Sequence, residues 1–154
     1  MIKINDKIPK FEILTDTGDF KVSNHQGKKI VVFFFPRADT SGCTAESIAF
    51  TNLKQEFDKL NCIVIGISKD NSKKQGKFRE KYNLKCELGA DFENNVCEQF
   101  GVWVEKTMYG KKYMGIQRST FLSNEQGLIT NIWEKVKVPG HAEEVLETVK
   151  NLNK

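Results

Sequence analysis

Hydrophobic positions along the chain fall into a few clear rhythms. Ile30-Val31-Val32-Phe33-Phe34-Phe35 runs apolar without a polar break, as a central strand covered on both faces must, and Pro36 ends it. Cys62-Ile63-Val64-Ile65-Gly66-Ile67 has the same character. Between these runs Ala45, Ile48, Ala49, Leu53, Phe57 and Leu60 recur at helical spacing, forming one apolar stripe. Strand, helix and strand in that order predict a crossover onto a parallel sheet. Upstream, Pro9, Phe11 and Ile13, a turn at Thr17-Gly18-Asp19, then Phe20 and Val22 predict a short hairpin.

The second half continues in kind. Ser72 to Asn83 reads as a polar surface helix anchored by Phe78 and Tyr82. Phe92, Val96 and Phe100 predict a short helix after Asp91, a residue suited to cap it. Lys106 to Gly115, rich in Lys, Tyr and Gly, reads as an irregular surface loop. Ser119 to Leu122, a turn at Asn124 to Gly127, and Leu128 to Val136 predict an antiparallel hairpin. Ala142, Val145, Leu146, Val149 and Leu152 mark a last helix. The expectation is a single α/β domain over residues 1–154, a central mixed sheet with helices on both faces and an N-terminal β-hairpin.

Composition narrows the function classes. With 39% hydrophobic and 29% charged residues, the chain is not a disordered polymer. Its longest apolar run falls far short of the roughly 18 residues of a membrane span. Asp6, Pro9 and Glu12 stand where a secretory leader has its apolar block, so the expected location is cytoplasmic, without a membrane partner. The formal charge of +4 comes from 24 basic and 20 acidic residues spread from Lys3 to Lys154. Nucleic-acid binders gather such charge on one face, so no nucleic-acid partner is expected. Glycines fall in neither G-x-G-x-x-G nor phosphate-loop spacing, and no cofactor or metal is expected. Four cysteines, Cys43, Cys62, Cys86 and Cys97, contain no Cys-x-x-Cys pair. That argues against a zinc ribbon or a redox dithiol, and in a reducing compartment the thiols stay free.

The candidate chemistry lies in Phe35-Pro36-Arg37-Ala38-Asp39-Thr40-Ser41-Gly42-Cys43-Thr44-Ala45-Glu46. It joins the end of a central strand to the start of a helix, the edge where open α/β sheets bind ligands. Gly42 allows a sharp turn, and Glu46 follows Cys43 by three residues, as in a capping arrangement. A cysteine in a first helical turn meets unpaired backbone N–H groups that favour its thiolate. From placement alone, Cys43 is as compatible with a structural thiol as with a reactive one. Cys62 in its strand, Cys86 in an alternating segment and Cys97 beside an apolar stripe fit buried structural thiols better. Neither His25 nor His141 pairs recognisably with Cys43, which leaves a Cys–His mechanism little support. Trp103 and Trp133 read as ordinary aromatics, and Arg118, between Gln117 and Ser119, as a solvated arginine.

Pro36-x-x-x-Thr40-x-x-Cys43 nevertheless resembles the active-site signature of the peroxiredoxins. Its extension through Thr44 and Glu46 is similar to the bacterioferritin comigratory protein, or peroxiredoxin Q, branch. Cys97-Glu98-Gln99-Phe100-Gly101-Val102-Trp103 and Gly115-Ile116-Gln117-Arg118-Ser119-Thr120-Phe121 carry the likeness over almost the whole chain. The resemblance implies a thioredoxin-like fold and a thiol-dependent peroxidase. Hydrogen peroxide and organic hydroperoxides would be reduced to water and alcohols through a sulfenic acid on Cys43. It further implies that Thr40 and Arg118 hold thiolate and peroxide, that Pro36 shields the pocket, and that backbone N–H groups near Gly42 and Cys43 donate. Thioredoxin, or a small thiol system such as glutaredoxin or glutathione, would be the reductant, and the chain a monomer.

One position departs from the pattern. Many members of that branch carry a resolving cysteine five residues after the peroxidatic one, where this chain has Ile48. Ile48 also belongs to the apolar stripe, so the helix should resist unwinding. Recycling then runs by direct attack of an external thiol, or through Cys86, Cys97 or Cys62, with Cys86 the internal candidate. A disulfide reductase is disfavoured by the missing Cys-x-x-Cys. A redox-sensing or chaperone-like binding protein switched by Cys43 oxidation is the alternative from another class.

Overall fold

Lys29–Phe34 is buried along its whole length, and the rest of the sheet assembles around it. The structure, a computed structural model, describes residues 2–152. In the first half the elements are β1 (Glu12–Thr15), β2 (Gly18–Lys21), β3 (Lys29–Phe34), α1 (Ser41–Asn52), α2 (Lys54–Lys59), β4 (Cys62–Ser68) and α3 (Ser72–Tyr82). Then come β5 (Glu87–Ala90), α4 (Val96–Gln99), β6 (Trp103–Met108), β7 (Lys111–Ile116), β8 (Ser119–Ser123), β9 (Ile129–Trp133) and α5 (His141–Leu152). A seven-stranded sheet has the order β2-β1-β5-β4-β3-β8-β9. Its centre, β5-β4-β3, is parallel, and both flanks are antiparallel. This is the mixed sheet with an N-terminal hairpin that the pattern predicts.

Alternation along β3 divides the core. Ile30, Val32 and Phe34 pack with Phe11, Phe100 and Phe121 on one face. Val31, Phe33 and Phe35 pack with Phe50, Phe78 and Val145 on the other. The second face is thus roofed by α1, α2, α3 and α5, and the first carries the short α4. Packing beneath α1 is close: Phe33 stacks on Phe50 with centroids 4.5 Å apart and lies opposite Gly66 in the β3–β4 register. A Cβ on Gly66 would collide with the edge of the Phe33 ring. Gly66→Ala should therefore cost about 1–3 kcal/mol through overpacking; a urea midpoint within error of wild type would contradict this.

Three expectations need correction. The single stripe from Ala45 to Leu60 is two helices that meet at Leu53. The buried face of α1 is Cys43, Thr44, Glu46, Ser47 and Phe50, while Ala45 is exposed and Ile48 and Ala49 only half-buried. The helix hides its polar side, which hydrophobic periodicity cannot register. The supposed loop from Lys106 to Gly115 belongs to a hairpin, β6 pairing with β7 from Trp103↔Ile116 to Met108↔Lys111. Tyr109 and Gly110 close it with φ of 52° and 77°, the positive pair that a tight two-residue hairpin turn requires. Solvent on most of its surface removes the alternation that would have revealed it. Finally, Asn95 rather than Asp91 occupies the cap position of α4, and Phe92 is 63% exposed. Asp91 still serves that helix from further back, its carboxylate accepting from the Val96 and Cys97 N–H groups at 3.1 and 2.8 Å.

Candidate active site

The segment after β3 is tied down before α1 begins. Ala38 N–H donates to Asp70 Oδ2 at 2.7 Å. Asp39 adopts a left-handed φ of 63° and accepts from the Tyr82 hydroxyl and the Lys81 ammonium at the end of α3. These partners hold its carboxyl below the usual carboxylate range, the Tyr82 bond contributing most. Thr40 is the extended residue before the helix, and its carbonyl accepts from Thr44 N–H at 2.8 Å. Cys43 therefore lies in the first turn of α1, where N–H groups lack intrahelical partners and the helix end favours negative charge.

Arg118, immediately before β8, arrives from the other side. Its Nη2 donates to Cys43 Sγ at 3.1 Å, and its Nη1 to Glu46 Oε1 at 2.6 Å. A Cβ on Gly42 would lie 3.3 Å from Nη2, so the bare glycine leaves the guanidinium room to approach. Glu46 is 1% exposed. Burial pushes its carboxyl up to about 7, against the opposing pull of Arg118. Burial also works against the Arg118 charge, but Glu46 and Cys43 more than offset it and keep Arg118 cationic. One guanidinium thus bridges a carboxyl and a sulfur. An oxygen brought to that sulfur would meet a charged N–H donor as it arrives.

Not every expected group converges there. Cys43 and Arg118 meet as the resemblance implies. The Thr40 hydroxyl donates instead to the Arg37 carbonyl at 2.9 Å, and Pro36 is exposed at the end of the strand. Cys43 itself is only 1% exposed, packed in the core layer beneath α1. Glu46, read as a cap, has a different partner: it makes no capping bond and instead fixes Arg118. The available signal was the spacing of three residues, which sets it on the same helical face as Cys43, where a buried acid needs a cation. The other three cysteines are free and buried. Burial pushes Cys62 up to about 12 and Cys86 up to about 11, and it raises Cys97 further, reinforced by Asp91.

Behind the site, His141 is buried with Nε2 2.7 Å from Thr120 Oγ1. Burial first, and then the Arg118 charge, lower its pKa to about 4. In the folded state His141 stays neutral where the unfolded chain would protonate it. Its contribution is present above pH 6.5 and lost as pH falls toward 4. Glu46 acts with the opposite sign, its contribution present below pH 4.5 and lost as pH rises through about 7. Each effect is on the order of 3 kcal/mol at most, so the two nearly cancel in wild type between these limits. Urea midpoints should fall with rising pH in His141→Gln and climb in Glu46→Gln; parallel profiles in all three proteins would refute both assignments.

Comparisons with known proteins agree with one another. The AhpC/TSA family profile matches residues 4–132. Peroxiredoxin Bcp of Bacillus subtilis is 42% identical over 153 residues, covering 99% of this chain and 98% of that protein. Peroxiredoxin Bcp of Escherichia coli K12 is 37% identical over 150 residues, covering 97% and 96%. Bacterioferritin comigratory protein of Xanthomonas campestris, solved in work on its alkyl peroxide reduction activity, superposes with a TM-score of 0.91 at 34% identity, covering 99% of this chain and 100% of that one. A cysteine-to-serine mutant of Xylella fastidiosa PrxQ superposes at 0.94 with 32% identity, covering 100% and 99%.

Proposed function

The chain belongs to the AhpC/TSA family as a peroxiredoxin of thioredoxin-like fold, a thiol-dependent peroxidase, and on that premise we propose that Cys43 is its peroxidatic cysteine, activated by Arg118 and recycled by an external thiol. The observation that carries the assignment is the Arg118 bridge, with Nη2 3.1 Å from Cys43 Sγ and Nη1 2.6 Å from Glu46 Oε1. In the reaction the Cys43 thiolate attacks the terminal oxygen of R–O–O–H. An S–O bond forms as the O–O bond breaks, and R–O⁻ leaves to take a proton as water or alcohol. Charge grows on the departing oxygen, and Arg118 N–H donors aimed there gain strength in the transition state. Glu46 holds the guanidinium in place. Thr40 works through the loop, tying Arg37 with its hydroxyl and opening α1 with its carbonyl. Pro36 ends the strand and sets the start of that loop. Because Cys43 is so nearly enclosed, peroxide reaches it when the loop or the first turn of α1 moves.

Recycling follows from which thiols can ionise. Ile48 occupies the position five residues after Cys43, and α3 contains no cysteine. Cys62, Cys86 and Cys97 are buried, with their thiols held protonated. An external thiol therefore attacks the sulfenic acid, releasing water and leaving a mixed disulfide, and a second thiol frees Cys43. Thioredoxin, or glutaredoxin and glutathione, would supply it, in the cytoplasm, where four unpaired cysteines persist. A monomer is the working unit in this reading. No helix of the described residues is long and apolar enough to cross a membrane. Peroxide consumption in the presence of a small dithiol should vanish in Cys43→Ser, and sustained turnover there would overturn the assignment.

A further inference from the structure

The β6–β7 hairpin brings a second cation toward the site. Lys106 stands opposite Tyr113, and Val104 opposite Gly115, in the hairpin register, so these residues share a face. A Cβ on Gly115 would lie 3.2 Å from Lys106 Cδ and 3.5 Å from its Cε. The lysine stem therefore crosses bare backbone toward the base of the hairpin, the end at which Gln117 leads into Arg118. Lys106 is half-buried where its neighbours Glu105 and Thr107 are exposed. Among the described residues no carboxylate lies within ion-pair distance of it. Arg118, by contrast, is committed to Glu46 and Cys43. Burial first, and then the Arg118 charge, pull the Lys106 ammonium below its ordinary value, while Cys43 acts the other way. It stands within the field of both.

We propose that Lys106 is a specificity-determining residue at the approach to Cys43, favouring hydroperoxides that carry a carboxylate over neutral ones of the same size. The inference rests on Cys43 being the reacting sulfur. A partly desolvated ammonium without a counterion is a ready partner for an anionic substrate group. Val104, opposite Gly115, and the Tyr113 ring, whose Cε2 also lies over Gly115, offer apolar surface to the carbon skeleton between that group and the peroxide. The bond changes stay as described: S–O forms, O–O breaks, and the alcohol departs with its carboxylate intact.

A short aliphatic hydroperoxide ending in a carboxylate, measured against its own methyl ester, isolates the charge. Wild type should show a kcat/KM ratio of acid to ester of about two to five at low salt. That ratio should fall toward one at about 1 M salt, where screening reaches about 3 Å. Lys106→Gln should bring the ratio to one at any salt and Lys106→Arg should keep it. Gly115→Val, which crowds the stem while keeping its charge, should lower it. A wild-type ratio of one, or a ratio unchanged in Lys106→Gln, overturns the inference while leaving Cys43 chemistry intact. Consumption of either peroxide by Cys43→Ser would instead overturn the reading beneath it.

Discussion

Arg118→Met should slow the oxidation of Cys43 by hydrogen peroxide about 100- to 1000-fold, the loss expected when a donor to a developing oxyanion is removed. Thiolate fraction alone cannot produce an effect of that size. A thiol moved from a pKa of about 8.5 to about 6 gains roughly thirtyfold in thiolate at neutral pH. Its nucleophilicity falls roughly tenfold over the same interval, so the net gain is a small factor. The larger share must come from groups that bind the departing oxygen more tightly than the bound peroxide. Arg118 Nη2, 3.1 Å from Cys43 Sγ, is the charged side-chain donor so placed. The check is a stopped-flow oxidation rate corrected for thiolate fraction, itself read from iodoacetamide alkylation against pH. A corrected loss below about tenfold would transfer the catalytic burden to the backbone N–H groups at the start of α1.

The second large effect separates the roles of the cysteines. Cys43→Ser should reduce turnover with hydrogen peroxide and a small dithiol to the buffer rate, whereas Cys86→Ser should stay within about twofold of wild type, as expected for a thiol outside the reaction. The pairing with intact mass makes the test sharp. Wild type given one equivalent of peroxide without reductant should gain a single oxygen, trapped at Cys43 by a sulfenic-acid reagent. A loss of two hydrogens, with a peptide linking residues 43 and 86, would show that Cys86 resolves the intermediate. That outcome needs α1 and the segment before β5 to open together, since Cys86 is buried and meets Thr51 rather than Cys43.

The apolar parts of the molecule were legible and its polar interior was not. β3, β4 and α5 announce themselves because each buries a continuous or periodic set of apolar residues. The helix that carries the chemistry does the reverse. Periodicity chose Ala45, Ile48 and Ala49 as its inward face, while the residues turned inward include Thr44, Glu46 and Ser47. Glu46 is tolerated there because Arg118 reaches it from 72 positions away, a partnership that no local pattern encodes. Arg118 alone reads as a surface arginine, and only the matched motif around it marked it out. The β6–β7 hairpin is silent in the sequence for a third reason, since a ribbon wet on most of its surface has no apolar side to repeat.

The shared guanidinium couples two events that the chain keeps 3 residues apart in α1. While Cys43 is anionic, Arg118 divides its positive charge between sulfur and carboxylate. Once the sulfur carries an oxygen and no charge, the whole of that attraction falls to Glu46, whose carboxyl is otherwise raised to about 7 by burial. On the proposed chemistry, oxidation at one end of the bridge should make the acid at the other end easier to ionise, and by reciprocity a protonated Glu46 should leave more of Arg118 for the reduced sulfur. The redox state of one atom and the proton occupancy of another would then move like the two arms of a balance, with the arginine as its beam.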